Sequence, residues 1–380
     1  METVEPFKEG MTAIKEAGGE AAKLCYQCGL CNTVCPWNRV RSFTVRTIMR
    51  QAQFGLAEVE QEDIWRCTTC NNCVQNCPRG VELVNVAVSI RRIAAKWGMT
   101  PASLNAVKAS LAAEGNPWGE ERKKRADWAQ GLSIKEFTEG TEILYFPGCL
   151  LSYDSRLKQV AVATANLLKK AGVDFGILGT RENCCGESIR KTGAEDLFKY
   201  LAKENIKTFI DSGVKKIVVS SPHCYHTFKN EYPEFKANFD VVHITQYLKE
   251  LIDQGRLEFK KEHNKKITYH DPCYLGRHNG IYQEPREILA KVPGLQLVEM
   301  SDSAKDSLCC GGGGGRIWMD TAKAERLSSL RLQQAIDSGT TILTTSCPYC
   351  IMNFEDSRLL LGDNEAIEVK DITEILQEAI

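Results

Sequence analysis

Eight cysteines fall into two runs of one pattern, and they fix what the first quarter of the chain can become. Cys25-x2-Cys28-x2-Cys31-x3-Cys35-Pro36 is repeated as Cys67-x2-Cys70-x2-Cys73-x3-Cys77-Pro78. The short gaps let three thiolates wrap one face of a cubane. The fourth, set before a proline that turns the chain, reaches the other cluster. The spacing predicts one 4Fe–4S cubane on Cys25, Cys28, Cys31 and Cys77, and a second on Cys67, Cys70, Cys73 and Cys35. Two zinc sites would need only paired C-x2-C units, with no third cysteine and no Cys-Pro.

Between the runs, Val45-Arg46-Thr47-Ile48-Met49-Arg50-Gln51-Ala52 has helical apolar spacing and Gly55 as a stop. Residues 81–97 read as a further helix, and residues 1–24 as a weak amphipathic packing arm. Helices between and after the cysteine runs make 1–97 a helical two-cluster ferredoxin domain rather than the small β-hairpin type. Residues 98–142, with Pro101, Pro117, Trp118 and Trp128, read as a connector whose tryptophans pack on a neighbouring domain or partner.

From Ile143 the pattern changes to short apolar runs alternating with helices. Strands are expected over 143–146, 175–178, 216–220, 267–269, 295–298 and 341–344. Thr192-Gly193-Ala194-Glu195 reads as a capping box opening a helix that ends at Gly213. Such alternation implies α/β architecture with mostly parallel sheets. The region is also duplicated. Cys149 recurs 124 residues on at Cys273, Cys184-Cys185-Gly186 recurs 125 on at Cys309-Cys310-Gly311, and Cys224 recurs 126 on at Cys350. The expected fold is therefore α + α/β, with a helical two-cluster ferredoxin domain followed by two duplicated α/β halves, 143–262 and 263–380.

The same register sets Ser221 opposite Cys347, so the first half keeps Cys149, Cys184, Cys185 and Cys224, one short of the second. All 17 cysteines are then placed. An odd count in so long a chain is no secreted disulfide framework, and residues 1–10 show no basic stretch leading into an apolar one. Clustered thiols point to metal or redox chemistry in a reducing, cytoplasmic setting. With 48 Lys plus Arg against 49 Asp plus Glu there is no electrostatic footprint for nucleic acid, and no stretch reaches the length of a membrane span. The run Glu120-Glu121-Arg122-Lys123-Lys124-Arg125 reads as a solvated helix face.

Cys273, Cys309, Cys310, Cys347 and Cys350 give the second half five thiolates, more than a tetrahedral ion takes, and soft sulfur ligands in that number favour an iron–sulfur cluster. Paired C-xn-CCG-xm-C-x2-C halves behind a two-cluster ferredoxin domain resemble the CCG-domain iron–sulfur proteins. In shape they resemble the D component of heterodisulfide reductase, a fusion of its ferredoxin-like and CCG parts. The resemblance runs from Cys25 to Cys350. It implies a noncubane 4Fe–4S cluster on the complete second-half motif, where disulfides are cleaved one electron at a time. The same family includes iron–sulfur subunits of glycolate oxidase, anaerobic glycerol-3-phosphate dehydrogenase, sulfite-reduction membrane complexes and class II benzoyl-CoA reductase complexes.

In the first half, Ser221-Pro222-His223-Cys224-Tyr225-His226 departs from the pattern, leaving a cubane, a zinc ion or nothing as its content, with His223 or His226 as stand-ins for the lost thiolate. Gly311 to Gly315 reads as close backbone approach to a charged cluster rather than a nucleotide loop, because no strand directly feeds it. His270, just before Cys273, is a candidate proton donor to a leaving thiolate or a satisfied core residue, and Arg277 and His278 are candidates for favouring an anion. The expected function is an electron-transfer oxidoreductase subunit that moves electrons between two cubanes and the second-half cluster, where a small disulfide or a partner is reduced. The rival is a pure relay in a flavoprotein complex. Neither a flavin nor a nicotinamide site is evident in the chain, so redox partner subunits are implied under both.

Overall fold

The computed structural model describes residues 5–55, 62–361 and 367–380. Residues 1–4 of the opening segment, and 362–366 of the second half, lie outside the described residues. The chain forms two compact units. One comprises 1–108, 188–198 and 311–327, the other 109–187, 199–310 and 328–380.

The first unit is helical. Its core packs Ile14, Met49, Ile64, Trp65, Val86, Ile90 and Leu104, and Cys25, Cys31, Cys73 and Cys77 lie against it. The helix Val45–Phe54 ends where Gly55 adopts φ 71°, its N–H closing on Ala52 and Gln51. A Cβ at Gly55 would also stand 2.1 Å from Phe7 O, so the stop is required by packing as well as by the turn. The helix Leu83–Lys96 buries ten of its 14 residues, Arg91 included. Arg91 donates to the carbonyls of Ile64, Cys67, Lys191 and Gly314, tying four separate segments of this unit together. Two of those segments, 188–198 and 311–327, follow the two Cys-Cys-Gly motifs in the chain, which a division into contiguous stretches does not anticipate.

The second unit holds two parallel sheets. Strands β1 (Lys135–Glu136), β2 (Ile143–Phe146), β3 (Phe175–Ile177), β4 (Lys216–Val219) and β5 (Asp240–His243) form one sheet in the order β1-β3-β2-β4-β5. Strands β6 (Lys266–His270), β7 (Gln296–Leu297), β8 (Ile342–Thr345) and β9 (Glu368–Asp371) form the other, in the order β7-β6-β8-β9. Apart from β1 the orders coincide, and all pairings are parallel. The repeat extends to single bonds: Tyr145 on β2 meets Ser220 Oγ at 2.9 Å, and Tyr269 on β6 donates to Ser346 Oγ at 3.2 Å. One apolar core runs through both halves, with Ile143, Tyr145 and Val218 in the same cluster as Ile267, Tyr269 and Leu343.

Residues 98–142, expected as a connector, carry the helix Ala102–Glu114 and the edge strand β1. Two local expectations are corrected. Thr192 does not cap the helix Glu195–Asp211, since its hydroxyl donates back to Ile189 O and finishes the preceding turn. The basic run is not wholly solvated: Lys124 pairs with Glu120 at the surface, but Arg125 is 1% exposed.

Candidate metal centres

In each sheet the strand order reverses between two adjacent parallel strands, β2 and β4 in one, β6 and β8 in the other. The carboxyl ends of strands flanking such a switch point are where open α/β sheets bind ligands. Cys149 follows β2 and Cys224 follows β4, while Cys273 follows β6 and Cys347 and Cys350 follow β8. Topology thus sets these five thiols after the strands that flank each switch point.

In the second half, Cys310 and Cys350 lie 3.3 Å apart, sulfur to sulfur, and Asn353 Nδ2 approaches Cys310 Sγ at 3.9 Å. Cys347 hydrogen-bonds Cys350. A ring nitrogen of His270 and the two sulfurs of Cys310 and Cys350 all lie within 4.8 Å of one another. Cys273 and Cys309 are buried beside them in sequence, at 8% and 2% exposure. Burial, with Cys310 and Cys347 close by, pushes the Cys350 thiol far up. Cys347 goes the other way. Burial opposes ionisation, but hydrogen bonds from Cys350 and His223 outweigh it and bring the thiol down to about 5.

His270 is held neutral. Burial and the neighbouring Arg331 keep its pKa well below the usual histidine range. Arg331 Nε donates to His270 Nδ1 at 3.1 Å, so the ring proton sits on Nε2, which is buried and has no hydrogen-bond partner among the described residues. Such a histidine is a hydrogen-bond donor looking for an acceptor. Arg277 is committed elsewhere, to the carbonyls of Lys305 and Ser307, and His278 stacks on Tyr274.

The first half assembles its four thiols in sequence: Cys149 hydrogen-bonds Cys184, Cys184 hydrogen-bonds Cys185, and Cys185 hydrogen-bonds Cys224. Gly148 (φ 79°) leaves room for them, because a Cβ there would stand 3.2 Å from Cys224 Sγ. Arg125 Nη1 comes within 3.5 Å of Cys149 Sγ, and its Nε within 3.2 Å of Glu182 Oε2. Neither histidine of this segment completes the set. His223 turns to Cys347 and to Glu187 Oε2, 3.1 Å away, and is pushed up to about 10 because these two outweigh its burial. His226 lies by Glu231, Asn230 and His278.

In the helical unit, Cys35, Cys67, Cys70 and Cys73 line one apolar-walled cavity together with Pro36, Trp37, Phe43 and Leu83. Cys73 has Cys67, Cys70 and Cys35 around it, and is driven up chiefly by burial and then by their charges. Cys31 is flanked by Cys25 and Cys28, and Tyr26 stands beside both Cys28 and Cys77. The glycines after Cys310 approach the protein backbone itself: a Cβ on Gly313 would lie 2.3 Å from Thr68 O, and one on Gly314 2.4 Å from Cys67 O.

The donor sets fit soft metals. Thiols packed this densely in dry surroundings repel one another as thiolates, and a cationic metal or cluster relieves that repulsion. Glu182, Glu187 and Arg331 are not singled out by the sequence reading, and Arg125 reads there only as part of the basic run. For Glu182 and Glu187 the available signal is a charge flanking the motif, as in Glu182-Asn183-Cys184-Cys185-Gly186-Glu187.

These centres define an iron–sulfur protein with a dicluster ferredoxin module and two cysteine-rich repeats. Residues 143–229 and 267–355 match the family described as Cysteine-rich domain (CCG), and residues 21–81 match the 4Fe-4S dicluster domain. The chain is 32% identical to the D component of the dihydromethanophenazine:CoB–CoM heterodisulfide reductase of Methanosarcina barkeri, over 94% of this chain and 93% of that protein. It is 39% identical to "Probable iron-sulfur-binding oxidoreductase FadF" of Bacillus subtilis and 37% identical to "EtfAB:quinone oxidoreductase" of Syntrophomonas wolfei, in each case over 85% of this chain. It spans about half the length of these two, 47% of each. A hypothetical protein from Helicobacter pylori shares the fold, with a TM-score of 0.53 at 11% identity, over 98% of this chain and 72% of that one. The chain belongs to the CCG-domain iron–sulfur oxidoreductase family that contains the D component of heterodisulfide reductase. Its family matches are to a 4Fe-4S dicluster domain and to two cysteine-rich domains. Among the described residues no helix is long and apolar enough to cross a membrane.

Proposed function

We propose that the chain carries electrons between two cubanes, one on Cys25, Cys28, Cys31 and Cys77 and one on Cys67, Cys70, Cys73 and Cys35, and a noncubane 4Fe–4S cluster on Cys273, Cys309, Cys310, Cys347 and Cys350. The functional parts are 1–97, 98–142, 143–262 and 263–380, acting in the cytoplasm with redox partner subunits. When bound, the noncubane cluster supplies one-electron chemistry at sulfur, which suits reduction of a small disulfide. The chain's own residues exclude water from that edge, hold Cys347 toward the thiolate form, and offer His270 Nε2–H as a donor to sulfur. In the first half, Cys149, Cys184, Cys185 and Cys224 supply four donors, enough for a zinc ion or a cubane, with Arg125 as a fixed positive charge beside them.

The observation that carries the reading is the meeting of Cys310, Cys347, Cys350 and His270 at the switch point of the second sheet. A second reading, a relay with no substrate of its own, is favoured by the burial of all five second-half cysteines, none more than 8% exposed. The name of the EtfAB:quinone oxidoreductase relative supports a separate redox partner in that case.

Electron paramagnetic resonance of the oxidised, anaerobically purified protein separates the two. A signal that appears only with added thiol, and is lost in Cys310→Ser, establishes sulfur chemistry at the second half. Normal cubane signals on reduction, with no response to any thiol, leave the relay.

A further inference from the structure

The two halves differ at one turn in a way that the count of thiols does not capture. Ser221-Pro222-His223-Cys224 of the first half stands where the second has Cys347-Pro348-Tyr349-Cys350. The first half thus loses a thiolate and gains an imidazole two residues further on. That imidazole does not serve its own half. His223 is 3% exposed, and its ring lies between Tyr274 and Tyr349, with centroids 4.0 and 4.1 Å away and planes within 28° and 27° of parallel. Its Nδ1 faces Glu187 Oε2 at 3.1 Å, and it hydrogen-bonds Cys347. Three of these four neighbours, Tyr274, Tyr349 and Cys347, belong to the second half.

A ring closed on both faces by aromatic neighbours cannot turn without breaking the stack. With Nδ1 on the side of Glu187 Oε2, 3.1 Å away, the contact with Cys347 falls to the other ring nitrogen. Glu187, 1% exposed, is the kind of outer partner that orients a histidine beside a metal centre.

Taking the proposed occupancy of the second half as given, we infer that His223 is a positioning residue of that centre, lent to it by the first half. Its N–H donates to the Cys347 sulfur and raises the reduction potential of the cluster that sulfur would hold. The physical basis is general: a donor to a cluster thiolate stabilises the more negative, reduced state over the oxidised one, and hydrogen bonds to cluster sulfurs set potentials. Loss of one ligand in the first half and retention of its fold are then compatible, because the remaining turn still supplies a donor to the neighbouring site.

The test is the midpoint potential of the second-half cluster in the full chain, followed by paramagnetic resonance, with iron and labile sulfide counted on each sample. His223→Phe keeps a ring between Tyr274 and Tyr349 but has no N–H. His223→Gln keeps an N–H. The expected result is a loaded H223F protein whose reduction equilibrium is about tenfold less favourable, about 59 mV for one electron, with H223Q close to the parent. An unchanged potential in H223F overturns the inference, as do equal shifts in H223F and H223Q, or loss of the cluster from both, since each reduces His223 to packing. Should H223F alone fail to load, His223→Leu replaces it in the same comparison. A parent protein whose iron is accounted for by the two cubanes would overturn the occupancy reading and this inference together. A filled site indifferent to H223F overturns this inference alone.

Discussion

Arg125 Nη1 lies 3.5 Å from Cys149 Sγ while its Nε lies 3.2 Å from Glu182 Oε2, and both charged residues are at most 2% exposed. Glu182 is pushed up to about 7 by burial even with the guanidinium beside it. Removing Arg125 strands that carboxylate in a dry site, which costs about 3–5 kcal/mol when one partner of a buried pair is lost. Arg125→Met is expected to show that loss in denaturant unfolding, and Arg125→Met with Glu182→Gln to recover most of it. Lys124→Met, one residue away but paired at the surface with Glu120, is expected to unfold like the parent.

His243 and Asp371 occupy one position in the repeat, capping the last helix of each half, and they predict opposite pH slopes. His243 Nδ1 accepts from Thr245 N at 3.3 Å and Asp371 Oδ1 from Thr373 N at 2.9 Å, each within a capping box. Burial drives His243 from 6.5 down to about 3, so the unfolded chain binds more protons between those values and the stability His243 contributes is lost as pH falls through them. Burial drives Asp371 from 3.8 up to about 7, so here the folded chain binds more protons and stability is lost as pH rises from about 4 to 7. Asparagine caps either helix without titrating. The melting temperature of Asp371→Asn, relative to the parent, is expected to rise with pH across 4 to 7. That of His243→Asn is expected to rise as pH drops below about 6.5.

Gly313 and Gly314 predict a metal-specific lesion. A Cβ at Gly314 would meet Cys67 O at 2.4 Å, and Arg91 bonds both Cys67 O and Gly314 O, so the side chain must push apart a joint that fixes Cys67, a proposed cluster ligand. Gly314→Ala is expected to lose the iron of the cubane that uses Cys67 and to leave the other cubane's signal. Gly140→Ala is the control, since Gly140 has φ 92° but nothing within 4 Å of its Cβ position. It is expected to cost about 1 kcal/mol of backbone strain and no iron.

Much of this is legible in the chain because it is written in local spacing. Cysteine intervals, the Gly55 stop and apolar runs at β2, β4, β6 and β8 need only neighbours in sequence. Strands β5 and β9 escape notice because they sit at sheet edges and carry charge: Glu368-Val369-Lys370-Asp371 reads as polar, although Ile-Thr-Gln and Ile-Thr-Glu after His243 and Asp371 repeat the same cap. Arg125 reads with its acidic neighbours because Glu182, its partner, is 57 residues on. For His223 the residue is visible and its target is not. Which thiol an imidazole meets depends on how two sheets pack, and here it meets the other half's.

Cys35 and Cys77 carry the last prediction, because their exchange distinguishes an interlocked pair of cubanes from two independent loops. Each is the fourth cysteine of its own run, yet Cys73 of the second run has Cys35 beside it, the cavity that holds Cys67, Cys70 and Cys73 is lined by Cys35, and Tyr26 stands by both Cys28 and Cys77. Serine is a poorer ligand than thiolate but nearly the same size, so a substituted cubane is expected to persist with an altered signal or drop out while the other remains. If the runs interlock, Cys35→Ser changes the same resonance as Cys70→Ser, and Cys77→Ser changes the same resonance as Cys28→Ser. If each run kept its own fourth ligand, Cys35→Ser would instead pair with Cys28→Ser. Reduced-state paramagnetic resonance of the four variants, with iron counted on each, decides between these patterns. The same series orders the two cubanes by exposure, since Cys28 is exposed and Cys70 is buried. The cubane that loses its signal in Cys28→Ser is then expected to be the one whose loss also stops rapid reduction by an external donor, because electron entry requires a cluster near the surface.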